Sequence, residues 1–400
     1  MSVSTYRRIM PLFLQIMILQ LLANFTNNSY SPLSVFIKGT FSLNSFELGI
    51  ITSAVFAGSL LAANIGGFMV DRLGSKTALR ISFFLLSTGS LIALSAHSYY
   101  TVVAGYSIIG FGYGIVTPAT NSAIIELYYP KHTVPMGVKQ AGVPLGALAA
   151  TLALPVIAID LSLRYAFLAM MLLALVIALV TRGSWDNKKR APVKVQVGKT
   201  MREALRNRKL VVVSTVAVFL SLGQQAIFTF LVVFMKFRGY DVLFSEILLG
   251  TMLIGSTIGR IVWPFLSQRL FASRQIDVLL VIVVLSGIML MSVPVDAFIW
   301  YTALAGSFFL GFTSVSWNST FVTIVSEEAP REHVGVYSGV SLTIMYLGVI
   351  IGIPLYGYII DVTTYTNMWI IGGSLTLIAA ILLSTFRVKT RGKEKKMLQK

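Results

Sequence analysis

Apolar residues arrive in this chain in long blocks without strict alternation, cut by short polar turns or by clusters of Lys and Arg. A helix that crosses a bilayer needs about 20 predominantly apolar residues. Twelve blocks meet that length, near 10–36, 46–69, 78–96, 100–127, 134–158, 163–181, 210–235, 244–267, 276–293, 298–325, 334–360 and 368–386. Within hydrocarbon only helices or a closed barrel satisfy every backbone group. The period-two alternation of a barrel strand is missing, so the pattern predicts an all-α membrane protein with twelve transmembrane helices.

The blocks are written twice. Gly66-Gly67-Phe68-Met69-Val70-Asp71-Arg72-Leu73-Gly74-Ser75-Lys76 is a compact charged turn between the second and third blocks, and a faint copy follows. Asp71-Arg72-Leu73 superposes on Gln268-Arg269-Leu270 at an offset of 268 − 71 = 197, which also places Gly58-Ser59 on Gly255-Ser256. That offset is close to half of the 400 residues, as expected of a duplicated unit. The predicted organisation is two pseudo-symmetric six-helix halves, residues 1–182 and 210–386, with a basic linker at 183–209 and a basic tail at 387–400. Thr200-Met201-Arg202-Glu203 in the linker has the form of a capping box, so a short basic surface helix is expected there.

Composition agrees with the solvent that the blocks imply. Hydrophobic residues make up 56% and charged residues only 12%, against about a quarter in soluble domains. The net charge is +17, and its placement orients the bundle. With residue 1 in the cytoplasm, that side holds Arg7, Arg8, Arg72, Lys76, Arg80, Lys131, the dense group from Arg182 to Lys209, Arg269, Arg274, Arg331 and the tail from Arg387 to Lys400. The other side keeps Lys38, Arg164, Lys236 and Arg238. The bias follows the positive-inside rule and predicts both termini in the cytoplasm of a cell membrane. Contact with anionic lipid headgroups accounts for the excess; no nucleic-acid partner is expected, because no basic soluble domain has room for a core.

Other chemistry is sparse. The first block is too long for a signal-peptide core and lacks a small-residue cleavage site, so no cleaved leader is expected. Zero cysteines exclude disulfides, thiolate metal sites and a cysteine nucleophile. His97, His132 and His333 have no ligand spacing, so neither metal nor cofactor is expected. No nucleophile and base pair up, which argues against an enzyme.

The Gly67-x-x-x-Asp71-Arg72-x-Gly74-x-Lys76 turn, placed between spans two and three of a twelve-span chain, resembles the signature loop of the major facilitator superfamily of secondary transporters. The resemblance covers essentially the whole chain and implies that family's fold. It departs at Ser75, where the family usually has a basic residue, and the second copy has Pro264 and Gln268 at the glycine and aspartate positions. By resemblance, Gly67, Asp71, Arg72, Gly74 and Lys76 form a conformational latch on the cytoplasmic side. Gly67 would permit close helix approach, Asp71 would face a helix N-terminus, and Glu126 looks like the acid that the loop's cations engage. A solvated helix end is the other reading of Glu126.

Substrate chemistry is sought in charges that the membrane should reject. Two cations lie within predicted spans, Lys139 in span five and Arg260 in span eight. Neither has an obvious intramembrane acid, since Glu47, Asp160, Glu246 and Asp296 fall near outer span ends and Asp277 near an inner one. The missing negative charge would then come with the substrate, with Arg260 offering two parallel donors to an oxyanion and Lys139 a point charge. Snorkelling of both side chains to the headgroups is the alternative. The resemblance implies that spans five and eight line the central cavity. An arginine in span eight is similar to that of carboxylate and nitrate carriers, and the Lys139-Gln140-x-Gly142-x-Pro144-x-Gly146 run resembles one found among anion and cyanate-type members.

Polar stripes at helical spacing suggest the rest of the lining: Asn24 and Asn28 in span one, and Tyr113, Thr117 and Asn121 in span four. Gln224 and Gln225 in span seven and Trp317 and Asn318 in span ten complete it, with ordinary interhelical hydrogen bonds as the competing explanation. Gly110, Gly112 and Gly114 match the family's fourth-span motif, but Tyr106 stands where an arginine linked to proton coupling is usual. The reading is a secondary transporter, a monomer that carries a small anion, chiefly a monocarboxylate, by rocker-switch alternating access, with protons as a candidate second partner. Proton-coupled efflux of amphiphilic drugs, transport of nitrate or cyanate, and a membrane sensor are the alternatives.

Overall fold

The computed structural model describes residues 3–128, 133–181, 197–270, 274–294, 300–330 and 333–398. Of the basic linker 183–209, residues 183–196 lie outside the described residues, as do Lys131, His132, Arg331 and Asp296, and so do the side chains of Arg7, Arg8, Gln268 and the tail beyond Arg387. Among the described residues every regular element is helical. The first six blocks give α1 (Val3–Asn27), a 3-10 turn (Asn28–Tyr30), α2 (Ser34–Thr40), α3 (Ser45–Leu73), α4 (Ser75–Leu94), α5 (Tyr99–Tyr128), α6 (Thr133–Gln140), α7 (Gly142–Asp160) and α8 (Leu163–Val180). After α9 (Val197–Arg206) come α10 (Arg208–Phe237), α11 (Val242–Leu270), α12 (Gln275–Ser292), α13 (Trp300–Ser314), α14 (Asn318–Glu328), α15 (Val334–Val362) and α16 (Tyr365–Leu398).

Eleven helical stretches are long and apolar enough to cross a membrane among the described residues, counting α13 with α14 as one. The first expected span is not among them. Three of the expected continuous spans are interrupted instead. The first breaks at the 3-10 turn, where the Ser29 hydroxyl donates to the Thr26 carbonyl (2.8 Å) and competes with the backbone ladder. The fifth breaks at Ala141, between α6 and α7. The tenth breaks between α13 and α14, where Asn318 Nδ2 donates to the Val315 carbonyl (3.2 Å). The expected capping box at Thr200 and Glu203 lies inside α9, which already begins at Val197. A capping box does start α3: Asn44 Oδ1 accepts from Glu47 N (2.8 Å) and Glu47 Oε2 from Asn44 N (2.9 Å).

Packing divides the chain into two compact units, residues 1–193 with Phe228–Gly250, and residues 194–227 with 251–400. In the first, α3 and α4 lie against α5, α4 against α8, and α1 against α7 and α5. In the second, α12 packs on α16, α13 and α14, and α15 on α9, α14 and α16. Duplication is visible in the elements themselves. α3 and α11 are both 29 residues long, and their ends stand in the register that the repeated turn predicts.

Candidate substrate-binding site

α7 is pressed onto α1 by two glycines. A methyl group on Gly142 would lie 3.2 Å from the Met17 carbonyl oxygen, and one on Gly146 would overlap that of Leu21. This seating places Lys139, at the end of α6, among α1 and α5. Lys139 is fully buried. Its Nζ donates to Asn121 Oδ1 (2.5 Å) and to Thr120 Oγ1 (3.0 Å). The Thr120 hydroxyl proton has Gln20 Oε1 at 3.0 Å and the Val116 carbonyl at 2.8 Å within reach.

The ammonium therefore does not snorkel. All its hydrogen-bond partners are neutral, and among the described residues no carboxylate forms an ion pair with it. An ammonium held inside a bundle by amide and hydroxyl oxygens alone carries an uncompensated desolvation cost, which a bound anion would offset. Gln20 and Thr120 were not among the expected site residues. Gln20 extends the stripe of Asn24 and Asn28 by one turn, which is the signal that could have found it.

Asn24 is buried and donates from Nδ2 to the Gln20 carbonyl (3.0 Å), while Asn28 Nδ2 donates to Asn24 Oδ1 (3.1 Å). The polar stripe of α1 is thus partly spent on itself. Tyr113 and Thr117 are half-buried on α5. Gln140 does not join Lys139: it is exposed, because a neighbour along a helix points about 100° away. Tyr106 is buried, shares a hydrogen bond with Ser29 Oγ (3.1 Å), and meets the rings of Tyr30 and Phe167 edge-on at 6.4 Å. An uncharged aromatic cluster occupies the place that the family resemblance would give to an arginine.

In the second unit, Arg260 is half-buried on α11, beside Gly259, whose Cα faces the Phe312 carbonyl and Ser316 of α13 and its following turn. Asn318 Nδ2 donates to Gln224 Oε1 (3.1 Å), so two of the expected lining residues meet. Gln225 is buried. Trp317 is 1% exposed and packs edge-on against Phe321 (5.6 Å) inside the apolar core that contains Trp263.

The expected latch is only partly as the motif suggested. Gly74 needs its glycine, with φ at +83° between α3 and α4. Close approach falls on Gly66, where a methyl group would lie 3.0 Å from Ile115 Cα; at Gly67 it would meet open space. Asp71 is exposed at the end of α3, three residues before Gly74, the N-cap of α4, and no hydrogen bond or ion pair is formed by it among the described residues. Arg72 lies over the ring of Phe68 at 4.2 Å, and Lys76 is half-buried. Glu126 accepts from Ser122 Oγ (3.1 Å) rather than from a loop cation.

Residues 16–353 match the family profile of the Major Facilitator Superfamily. The chain belongs to that superfamily. It is a multi-pass membrane protein. Solved structures agree on the fold: the chain is similar to a point mutant of the nucleoside transporter NupG, with a TM-score of 0.78, 16% identity, and 94% of this chain and 99% of that one covered. A bacterial homolog of the human lysosomal transporter Spinster, inward-facing and occupied, gives a TM-score of 0.75 at 17% identity over 94% and 96%. Among curated proteins, the chain is 32% identical over 113 residues to solute carrier family 2, facilitated glucose transporter member 10, of Xenopus laevis, 28% of this chain and 20% of that one. It is 34% identical over 90 residues to myo-inositol transporter 1 of Candida albicans, 22% and 16% respectively. These alignments span a fifth or less of the relatives' own length.

Proposed function

We propose that this superfamily member is a secondary active transporter of a small organic anion, a monocarboxylate in the first instance. It acts in the cell membrane with both termini cytoplasmic. The observation that carries the reading is the buried Lys139 ammonium, held among the described residues by Thr120, Asn121 and, through Thr120, Gln20. A carboxylate brought by the substrate supplies the counter-charge that the protein withholds. Arg260 offers a planar fork suited to a second oxygen pair. The Gln224–Asn318 amide pair and the Asn24–Asn28 stripe supply neutral donors and acceptors. Transport then follows from alternating exposure of these groups as one half rocks against the other.

A second reading has its own support. A facilitated glucose transporter and a myo-inositol transporter are among the relatives that align with about a quarter of this chain, and amide side chains such as Gln224 and Asn318 suit hydroxyl-rich solutes. Counterflow into liposomes carrying the purified protein separates the two, with lactate, acetate, nitrate, glucose and myo-inositol tested singly. Saturable lactate or acetate counterflow that disappears in Lys139→Gln and Arg260→Gln is the expected result. Myo-inositol counterflow that survives Lys139→Gln, with no saturable anion flux, overturns the anion reading in favour of the second.

A further inference from the structure

Glu246 was expected near a membrane interface, yet in the second turn of α11 it is 4% exposed, and neither carboxylate oxygen has a hydrogen-bond partner. Among the described residues it forms no ion pair. Asp277, buried to a similar degree, is by contrast paired with Arg387. The direction in which Glu246 faces is fixed by Gly250, one turn further along α11. A methyl group on Gly250 would sit 3.4 Å from Leu148 Cδ1 and 4.0 Å from Thr151 Cγ2 on α7, and residues four apart share a helix face. Glu246 therefore looks toward α7, the helix that follows Lys139.

Among the described residues, no charged group answers it. The one titratable side chain on α7 is Asp160, at its exposed end, and the Lys139 ammonium, which precedes α7, donates to Thr120 and Asn121 of α5 and forms no ion pair with Glu246. The remaining cations at the same ends of the helices are engaged or solvated. Lys38 donates to Ser45 Oγ (3.0 Å), Arg238 lies over Phe234 at 5.6 Å, and Lys236 and Arg164 are exposed. Of the acids described there, Glu47 closes the capping box and Asp241 accepts from Leu243 N (2.9 Å), while Asp160 and Asp361 are exposed.

An ionised carboxylate with no donor is the costly form in such a place, and the neutral acid is the tolerated one. We propose that Glu246 is the proton-binding site that couples this transporter to the proton gradient. A carboxylate oxygen takes a proton from water on the outer side, forming an O–H bond and a neutral acid that can be buried against α7. The O–H bond breaks again when the site opens to water on the inner side, and the proton leaves to that water. The inference deepens the transport reading above and rests on it for the existence of a cycle, but not for the chemistry of the cargo.

The test uses full-length protein in vesicles loaded with a pH-reporting dye, offered lactate, nitrate, glucose and myo-inositol in turn, with labelled counterflow measured in parallel. Solute-evoked proton movement is expected in the wild type. In Glu246→Gln it should fall to that of protein-free vesicles while counterflow continues. Proton movement in Glu246→Gln equal to wild type, or none with any solute in the wild type, overturns the assignment. If myo-inositol rather than lactate drives proton movement and Glu246→Gln abolishes it, the anion reading falls and the proton site stands. Infrared spectroscopy supplies a readout that needs no cargo: the carbonyl stretch of a protonated buried carboxyl should be present in the wild type and shifted in Glu246→Asp. A spectrum identical in the two overturns the proposal even if Glu246→Gln fails to fold.

Discussion

Gly110 of α5 lies so close to the backbone of Val55 on α3 that a methyl group at Gly110 would overlap the Val55 carbonyl oxygen. Gly311 of α13 bears the same relation to Met252 of α11. On α3 and α11 the two sites are offset by 252 − 55 = 197, and the Arg72 and Phe68 stack repeats at that offset as Arg269 over Phe265, 4.7 Å from the ring centroid. The duplication thus extends from the motif to the backbone contact that lets two helices touch.

Backbone atoms cannot swing aside, so Gly110→Ala and Gly311→Ala should each destabilise the protein by about 1–3 kcal/mol through overpacking. Gly67→Ala, where the methyl group meets open space, should cost nothing and gain roughly 0.5–1 kcal/mol from helix propensity. Thermal unfolding of purified variants orders them. A Gly67→Ala protein as unstable as Gly110→Ala would restore Gly67 to the close contact that the motif suggested.

Removing the neutral frame around Lys139 should damage transport without removing the charge. Thr120→Val keeps the shape but deletes the acceptor for Nζ and the donor to Gln20. A hydrogen bond to a charged group is worth about 1.5–3 kcal/mol, which corresponds to a loss of roughly tenfold to a hundredfold in kcat/KM for the anion. Thr120→Ser, which restores the hydroxyl, should recover most of it. Gln20→Leu should fall between. Flux that is equal in all four proteins would show that the Thr120 contact does not position the ammonium.

Much of this architecture is legible in the chain, because lipid imposes a strong rule on length and polarity, and the repeated turn fixes the register of α3 and α11. What the sequence hides is where a helix breaks and which way a side chain turns. Ser29 and Asn318 interrupt their helices through local hydrogen bonds that apolar blocks conceal. Lys139 was legible as an intramembrane cation, but its partners Thr120 and Gln20 were not, since helix phase depends on packing at Gly142 and Gly146. Glu246 was read as interfacial from its position four residues after the start of α11, whereas burial is decided by the neighbour, α7, that Gly250 admits.

Asp277 and Arg387 tie α12 to α16 through an ion pair of 2.5 Å in which the acid is 9% and the arginine 30% exposed. Arg387→Ala removes the arginine from a buried carboxylate and should destabilise by about 1–3 kcal/mol, the usual cost of losing a partner of a buried group, lowered from the fully buried case because the arginine is partly solvated. Asp277→Asn should cost less, since an amide needs no counter-charge. The double variant should be closer to wild type than the sum of the two. Strict additivity in a double-mutant cycle would mean that the pair contributes no coupling.

Thr52 of α3 and Thr229 of α10 share a hydrogen bond, Oγ1 to Oγ1 at 2.9 Å, with both side chains buried. Thr229 belongs by sequence to the second half but by packing to the first unit. A contact of this kind has to open if the halves rock during transport. The chain has no cysteine, so Thr52→Cys with Thr229→Cys creates a single possible disulfide. Oxygens at hydrogen-bond distance imply β-carbons near the approximately 3.5–4.5 Å that a disulfide requires. Oxidation should therefore abolish thiol labelling and stop counterflow, reduction should restore both, and each single variant should be indifferent to oxidant. Full flux through the cross-linked protein would mean that the Thr52 and Thr229 contact persists throughout the cycle, and that the helices which must separate lie elsewhere.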